Sequence, residues 1–319
     1  MKKIKILAVR NDRFGEFLLN IPALRALKRE FSTATLSLAV NPYNAELAAR
    51  IDAIDEVIVW ENRKHRFMEV LRFARQLRKK GFDLCIIFNP SKEINLLSFL
   101  SGIPLRVGYD RKWGFLLNRR IKDTKYLGAK HEIDYNLDLA RLAGAESCDR
   151  AISLKISPDE ARGLLSGVAG QPLVAVHPWT SDPLKQWPLE YFRGLARRLA
   201  EELKLKVIIV GGKEEREAGL KYFEGISPLV LNLTGKTTLV ELGALLANCR
   251  LLVSGDSGPV HLASCVGTPV VAIFRNDLPG KGPVRWGPAS AGSIVVAGPS
   301  LEEISVNEVF IKAKEALKL

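Results

Sequence analysis

Short apolar runs alternate with helical repeats along this chain. Ile4–Val9 reads as a first strand, followed by the polar stretch Arg10-Asn-Asp-Arg-Phe-Gly-Glu16 and a helix through Pro22–Lys28. Leu36–Val40, Val57–Trp60, Leu84–Phe88 and Arg106–Gly108 read as further strands, and Ile133–Ala143 as a helix. Phe67, Val70, Leu71, Ala74 and Leu77 recur at the spacing that places them on one helix face. After Ser157-Pro158 comes a short helix, and Gly167, Gly170 and Pro172 form a plausible linker. The alternation then restarts. Leu173–Val176, Val207–Val210, Val230–Leu233, Leu251–Ser254 and Val270–Phe274 read as strands, and Leu189–Glu202, Leu239–Ala247, Val260–Cys265 and Val306–Leu317 as helices. Strands that alternate with helices predict parallel sheets built from right-handed βαβ units. Two such series predict two Rossmann-like domains, residues 1–165 and 166–319, facing each other across a cleft. The last helix has the option of packing back on the first domain. Ligands in such sheets bind beyond the carboxyl ends of the strands.

Composition changes this picture little, because 47% hydrophobic and 26% charged residues fit a globular protein with sizeable cores. The longest apolar stretches are strand-length, far below the roughly 20 residues a bilayer needs. The opening MKKIKILAVR has the basic lead of an export signal, but Arg10, Asn11, Asp12 and Arg13 cut its apolar run short, so it reads as a strand and the protein as cytoplasmic. Cys85, Cys148, Cys249 and Cys265 are far apart with no CxxC pair, which points to buried or unpaired thiols and to no metal site.

Charge changes it more. The net charge is +12, and residues 1–160 hold 29 Lys and Arg against 20 Asp and Glu, a net of +9. Clusters run Arg72, Arg75, Arg78, Lys79, Lys80 and Arg111, Lys112, Arg119, Arg120, Lys122. Each cluster alone fits a solvated helix face. The summed field favours an anionic partner: nucleic acid, a membrane surface, or an acidic substrate. No helix-turn-helix, zinc-finger or RRM pattern accompanies the basic residues, so nucleic acid is set aside.

Candidate chemistry lies at the strand ends. Ser254-Gly-Asp-Ser-Gly-Pro-Val-His261 follows a strand. Its glycines permit a tight turn, Pro259 suits a first helical turn, and Ser257 or Gly258 would cap that helix. The helix start is then an anion site suited to a diphosphate. A plain β-turn-α link has the same outline, and His261 by itself fits a packed residue. His177-Pro-Trp-Thr-Ser-Asp-Pro-Leu-Lys-Gln-Trp-Pro188 puts Thr180, Ser181 and Lys185 in one loop, where hydroxyls and an ammonium can meet phosphate. Gly211-Gly-Lys-Glu-Glu215 offers a carboxylate to ribose hydroxyls, or is simply a helix start. Arg13-Phe-Gly-Glu16 offers a carboxylate that could take a proton from an attacking hydroxyl, or one that only favours a helix dipole.

Taken in order, these stretches resemble glycosyltransferase family 9, the ADP-heptose:lipopolysaccharide heptosyltransferases and their relatives. The resemblance rests on Arg10–Phe17 with Ile21–Lys28, His177–Pro188, Asn232–Leu239, Gly255–Ala263 and Gly267–Phe274, and it spans nearly the whole chain. It implies a GT-B fold whose first domain binds the acceptor and whose second binds the donor. It implies inverting transfer, without metal or other cofactor, of heptose from ADP-heptose to the lipopolysaccharide inner core. By position, Glu16 falls on the catalytic base, Thr180, Ser181 and Lys185 on phosphate contacts, Glu215 near the ribose and Thr237 near the base of the nucleotide. Asp256, Ser257 and Gly258 fall on the diphosphate and sugar side, within the motif that ends at His261. Two stretches depart from the family: Glu stands at 16 where Asp is usual, and Arg275-Asn-Asp277 stands where many relatives have Gly-Pro and a hydroxyl residue. An acidic lipid-linked acceptor would suit the basic first half, and an anionic inner-membrane surface would hold the enzyme peripherally. Other readings are a GT-B transferase for a different nucleotide sugar and glycan, or a nucleotide-sugar-binding relative without catalysis. No G-x-G-x-x-G follows the first strand, which disfavours an NAD-dependent dehydrogenase.

Overall fold

The structure is a computed structural model that describes residues 3–166 and 172–319; Gly167 and Gly170 of the expected linker lie outside them. The chain divides into two compact units, Met1–Ile152 and Ser153–Leu319. The division therefore falls ahead of the expected 165/166. The cause is local: Leu154 N–H donates to the Cys265 carbonyl (3.2 Å), and Asn248 Nδ2 donates to the Pro158 carbonyl (2.9 Å). Buried Ala161 and Leu165 accompany them, so residues 153–166 already belong to the second unit.

The first unit runs β1 (Lys5–Val9), α1 (Phe14–Leu18), α2 (Ile21–Glu30), β2 (Thr35–Val40), α3 (Ala45–Ala48), β3 (Glu56–Val59), α4 (Phe67–Lys80), β4 (Leu84–Ile87), α5 (Lys92–Leu100), β5 (Leu105–Tyr109), β6 (Arg119–Ile121) and α6 (Glu132–Leu142). Its six strands are parallel in the order β3-β2-β1-β4-β5-β6. The central strands β1 and β4 are apolar on both faces, as a sheet covered on both sides requires. Of the five apolar positions expected to form the packing face of α4, Val70, Ala74 and Leu77 are buried, Leu71 is half-buried, and Phe67 in the first turn stays exposed. Arg72, Arg75, Arg78, Lys79 and Lys80 form its solvated side.

The second unit runs β7 (Leu173–His177), α7 (Leu189–Glu201), β8 (Lys206–Ile209), α8 (Arg216–Phe223), β9 (Val230–Asn232), α9 (Leu239–Ala247), β10 (Cys249–Gly255), α10 (Gly258–Cys265), β11 (Val270–Arg275), α11 (Pro283–Trp286), β12 (Ile294–Gly298) and α12 (Val306–Leu317). Its parallel order, β12-β11-β10-β7-β8-β9, is the first sheet's order traversed from the opposite edge. The final helix contributes to the core of the second unit. Val309, Phe310, Ala313 and Leu317 of α12 are buried in the second unit's own core, and the Arg198 guanidinium of α7 lies 3.9 Å over the Phe310 ring. Burial of the Val309, Phe310 and Leu317 side chains supplies about 1.5–3 kcal/mol each. Among the described residues no helix is long and apolar enough to cross a membrane.

Candidate active site

In each sheet two neighbouring strands send their chains to opposite sides, and a crevice opens where the direction switches. In the second unit these strands are β7 and β10. His177 ends β7 and pairs in register with Ser254 of β10. Its Nδ1 lies 3.2 Å from Ser254 Oγ and 3.2 Å from Ser257 Oγ, and the two hydroxyls are 2.9 Å apart. Ser254 has one proton, and the Gly255 carbonyl at 3.0 Å accepts it. An Nδ1–H shared between the two hydroxyls would satisfy all three contacts. Burial pushes the His177 pKa down to about 3, so the ring is neutral at ordinary pH.

Ser257 occupies the N-cap position of α10 but makes no side-chain cap bond, because its hydroxyl is turned to His177 and Ser254. Pro259 has no N–H and Val260 N–H donates to the Ser257 carbonyl (3.2 Å), which leaves the Gly258 amide, with the helix dipole adding to its pull on an anion. Asp256, in the same turn, is ion-paired with Lys185. Burial raises the Asp256 carboxyl above the ordinary range, although the Lys185 ammonium opposes that rise. A Cβ on Gly255 would lie 3.1 Å from Thr180 Cγ2, so the turn and the 178–188 loop are in close contact.

That loop is internally braced. Gln186 Nε2 donates to the Pro178 (2.6 Å) and Trp187 (2.7 Å) carbonyls, and Gln186 Oε1 accepts from Thr180 N–H (3.2 Å). Thr180 Oγ1 donates to the Asp182 carbonyl (3.0 Å), and Asp182 also accepts from Lys281 Nζ (3.1 Å). Trp187 is fully buried and donates Nε1–H to the Ile304 carbonyl (2.9 Å). Ser181 is exposed.

The structure thus brings Thr180, Lys185, Asp256, Ser257 and Gly258 together. Glu215 and Thr237 stand further along the same sheet edge, after β8 and β9. Glu215 is the N-cap residue of α8 and folds back over Gly212, and half-buried Thr237 precedes Thr238, whose hydroxyl caps α9. Gly235 N–H donates to the Gly211 carbonyl (2.9 Å), joining the two loops. His261 lies inside α10, buried, its ring 6.4 Å from that of Trp286.

In the first unit the switch lies between β1 and β4. Arg10 Nε donates to Asp12 Oδ1 (2.7 Å), and Arg10 Nη1 lies 3.4 Å from Glu132 Oε1, which also receives Lys125 Nζ at 2.5 Å. Arg10 and Glu132 are buried, so this is a desolvated charge chain that removal of one member would leave uncompensated. Glu16 follows one turn after Asp12, in α1. Burial, then the Asp12 carboxylate, raise its carboxyl above the usual range, while Arg10 and Arg13 oppose them. Trp60, after β3, stacks between His65 (centroids 3.9 Å) and Phe73 (4.1 Å) beside a cavity of about 280 Å³ that Arg72 and Gln76 also line.

Sequence motifs did not single out His177 as a partner of Ser257, nor Arg10, Asp12, Lys125 and Glu132 as one chain. The available signal was a histidine or arginine at the end of an otherwise apolar strand, where burial obliges it to find a partner.

Two parallel sheets of one topology, each with its polar groups at the switch point, define an α/β protein of the GT-B class. The profile of Glycosyltransferase family 9 (heptosyltransferase) matches residues 70–308. Lipopolysaccharide heptosyltransferase 2 of Salmonella typhimurium is 24% identical over 294 residues, covering 86% of this chain and 84% of that protein. Among solved structures, ADP-heptose lipopolysaccharide heptosyltransferase II of Escherichia coli superposes with a TM-score of 0.85 at 23% identity, covering 99% of both chains. A family 9 glycosyl transferase of Veillonella parvula gives 0.88 at 22%, covering 99% of this chain and 97% of that one. The chain belongs to glycosyltransferase family 9, and it is a glycosyltransferase.

Proposed function

We propose that this enzyme transfers heptose from ADP-heptose, with inversion and without metal, to the acidic, lipid-linked inner core of lipopolysaccharide. The observation that carries the reading is the group at the β7/β10 switch: Lys185, Asp256, Ser257 and the start of α10, which carries no side-chain cap. An ammonium, a hydroxyl and the Gly258 amide at the helix start stand there as a diphosphate requires. The name of the Salmonella typhimurium relative supports heptose and lipopolysaccharide.

In this reading Thr180, Ser181 and Lys185 meet the phosphates, Glu215 the ribose and Thr237 the adenine. Asp256, Ser257, Gly258 and the nearby His261 serve the diphosphate and sugar side. The acceptor hydroxyl attacks the anomeric carbon, the bond from that carbon to the ADP oxygen breaks, and ADP leaves with the electron pair. Glu16 takes the hydroxyl proton, and its raised pKa makes it a stronger base than an ordinary carboxylate. The first unit holds the acceptor. The enzyme works at the cytoplasmic face of the inner membrane, attached peripherally by charge.

The test is calorimetric binding of ADP, UDP, GDP and dTDP to the purified chain. Selective ADP binding is expected; preference for UDP or dTDP would redirect the donor. Glu16→Gln should keep nucleotide affinity and lose transfer. Residual transfer near the wild-type rate would place the base elsewhere.

A further inference from the structure

Several exposed side chains in the first unit take no part in the chemistry above. Trp113 and Phe115, in the connection from β5 to β6, are 43% and 69% exposed. Tyr126 and Leu127, in the segment after β6, are 64% and 59% exposed. Isolated surface hydrophobics are ordinary. These four lie on two segments tied side by side: Arg111 Nη1 pairs with Asp123 Oδ2 at 2.9 Å, and Asp110 N–H donates to the Ile121 carbonyl at 2.7 Å.

The backbone here is held in a costly shape. Lys112 (φ 49°) and Trp113 (φ 68°) are both left-handed, which bulky side chains rarely adopt. Fully buried Asn95 fixes them, donating Nδ2–H to the Arg111 (3.2 Å) and Lys112 (2.9 Å) carbonyls. Gly114 completes the turn, since a Cβ there would stand 2.9 Å from Asp110 Oδ1 and 3.0 Å from the Tyr109 carbonyl oxygen. The segment leaves the indole 43% exposed, with the Lys92 ammonium 5.7 Å from its ring centroid, and a strained conformation that keeps so large a ring partly at the surface points to use outside the fold.

The surrounding charge specifies the partner. Residues 106–130 contain eight Lys and Arg and only two acidic residues, Asp110 and Asp123. Lys125 is taken by Glu132, and Arg106 by the Ile103 and Leu116 carbonyls. Arg111, Lys112, Arg119, Arg120 and Lys122 remain exposed. Arg111 and Arg120 reach Asp123 and Asp110, yet their side chains stay 57% and 43% exposed.

We propose that these two segments are a membrane-docking face: the rings and Leu127 enter the headgroup region of an anionic bilayer, and the basic rim meets its phosphates. Amphipathic rings favour that depth, and basic residues at it gain from anionic lipid. Stable attachment needs two such signals together. The proposal rests on the peripheral, lipid-linked reading given above, and it does not depend on which nucleotide is bound.

The test is sedimentation of the full chain with phosphatidylcholine vesicles, with and without phosphatidylglycerol. Three variants are compared with wild type: Trp113→Ala/Phe115→Ala, Phe115→Ser alone, and Arg75→Gln/Lys79→Gln on α4 as a control that removes two charges outside the proposed face. Nucleotide calorimetry reports folding of each, and Phe115→Ser serves if the double variant unfolds. Wild type is expected to bind only the phosphatidylglycerol vesicles. The double variant should bind them about tenfold more weakly, a loss of about 1.4 kcal/mol. Phe115→Ser should lose part of that affinity and the control little. Wild-type sedimentation with neither vesicle sinks the docking face and the peripheral reading together. Equal binding by Trp113→Ala/Phe115→Ala, or an equal loss in the α4 control, sinks the docking face alone. Unchanged vesicle binding with a raised KM for delipidated acceptor would make the face a saccharide site. Each of these outcomes leaves the nucleotide titration to judge the transferase reading.

Discussion

Lys185 is already committed to Asp256, so a phosphate entering the second unit must share the ammonium with a carboxylate or displace it. Lys185→Ala should therefore weaken ADP binding by roughly 1–3 kcal/mol, the range of a charge-assisted hydrogen bond partly offset by the lost ion pair. Calorimetry checks this, and unchanged affinity would move the phosphate site elsewhere. Asp12 offers a second test. Its carboxylate raises the pKa of Glu16 and also occupies Arg10, which lowers it. Asp12→Asn removes the first effect and loosens the second, so both changes push the Glu16 pKa down. A base must be ionised, so activity falls as pH drops through that pKa, and the acid limb of kcat/KM should move to lower pH in the variant. An acid limb that stays in place would mean that Glu16 does not set it. At this scale the motifs displayed Glu16, Lys185, Asp256 and Ser257, because glycines and prolines mark turns where such groups collect. They did not display the links from His177 to Ser257 or from Arg10 to Glu132, since each joins positions distant in the chain that only sheet formation brings together.

Among the elements, the long apolar strands were plain from their runs, whereas β6 and α5 were not. Arg119-Arg-Ile121 is a three-residue edge strand that carries no apolar run. The buried face of α5 includes Asn95 and Ser98, which interrupt a helical pattern. One junction between elements makes a prediction of its own. A Cβ on Gly211, after β8, would fall 2.3 Å from Trp179 Nε1 and 3.0 Å from Thr234 Cγ2. Trp179 has nowhere to retreat, being buried edge-on against Phe223 with centroids 5.9 Å apart. Gly211→Ala should cost about 1–3 kcal/mol of stability through overpacking. It should also weaken nucleotide binding, because Trp179 begins the loop that carries Thr180 and Lys185. Denaturant unfolding measures the first effect and calorimetry the second; wild-type stability would show that the loop yields freely.

Across the whole molecule, charge follows the division into units: residues 1–152 hold 28 Lys and Arg against 18 Asp and Glu, and residues 153–319 hold 19 against 17. The existence of two βαβ series was legible, because the alternation stops and restarts. The position of the division was not, because Leu154, Ala161 and Leu165 give no period that assigns them to either side. The unequal charge predicts that association with anionic vesicles falls as salt rises and the Debye length shrinks from about 10 Å at 0.1 M to about 3 Å at 1 M. Sedimentation at those two salt concentrations checks it, and equal binding at both would leave charge with no part in attachment.

The cysteines have a practical consequence. Cys85, Cys249 and Cys265 are buried, and burial pushes the Cys85 and Cys249 thiols up to about 12. Cys148 alone is exposed, in the segment that leads to the Ile152/Ser153 division. Toward a maleimide the native chain therefore behaves as a single-thiol protein, with its one label in the chain segment just ahead of Ser153 and no cysteine needing to be engineered away.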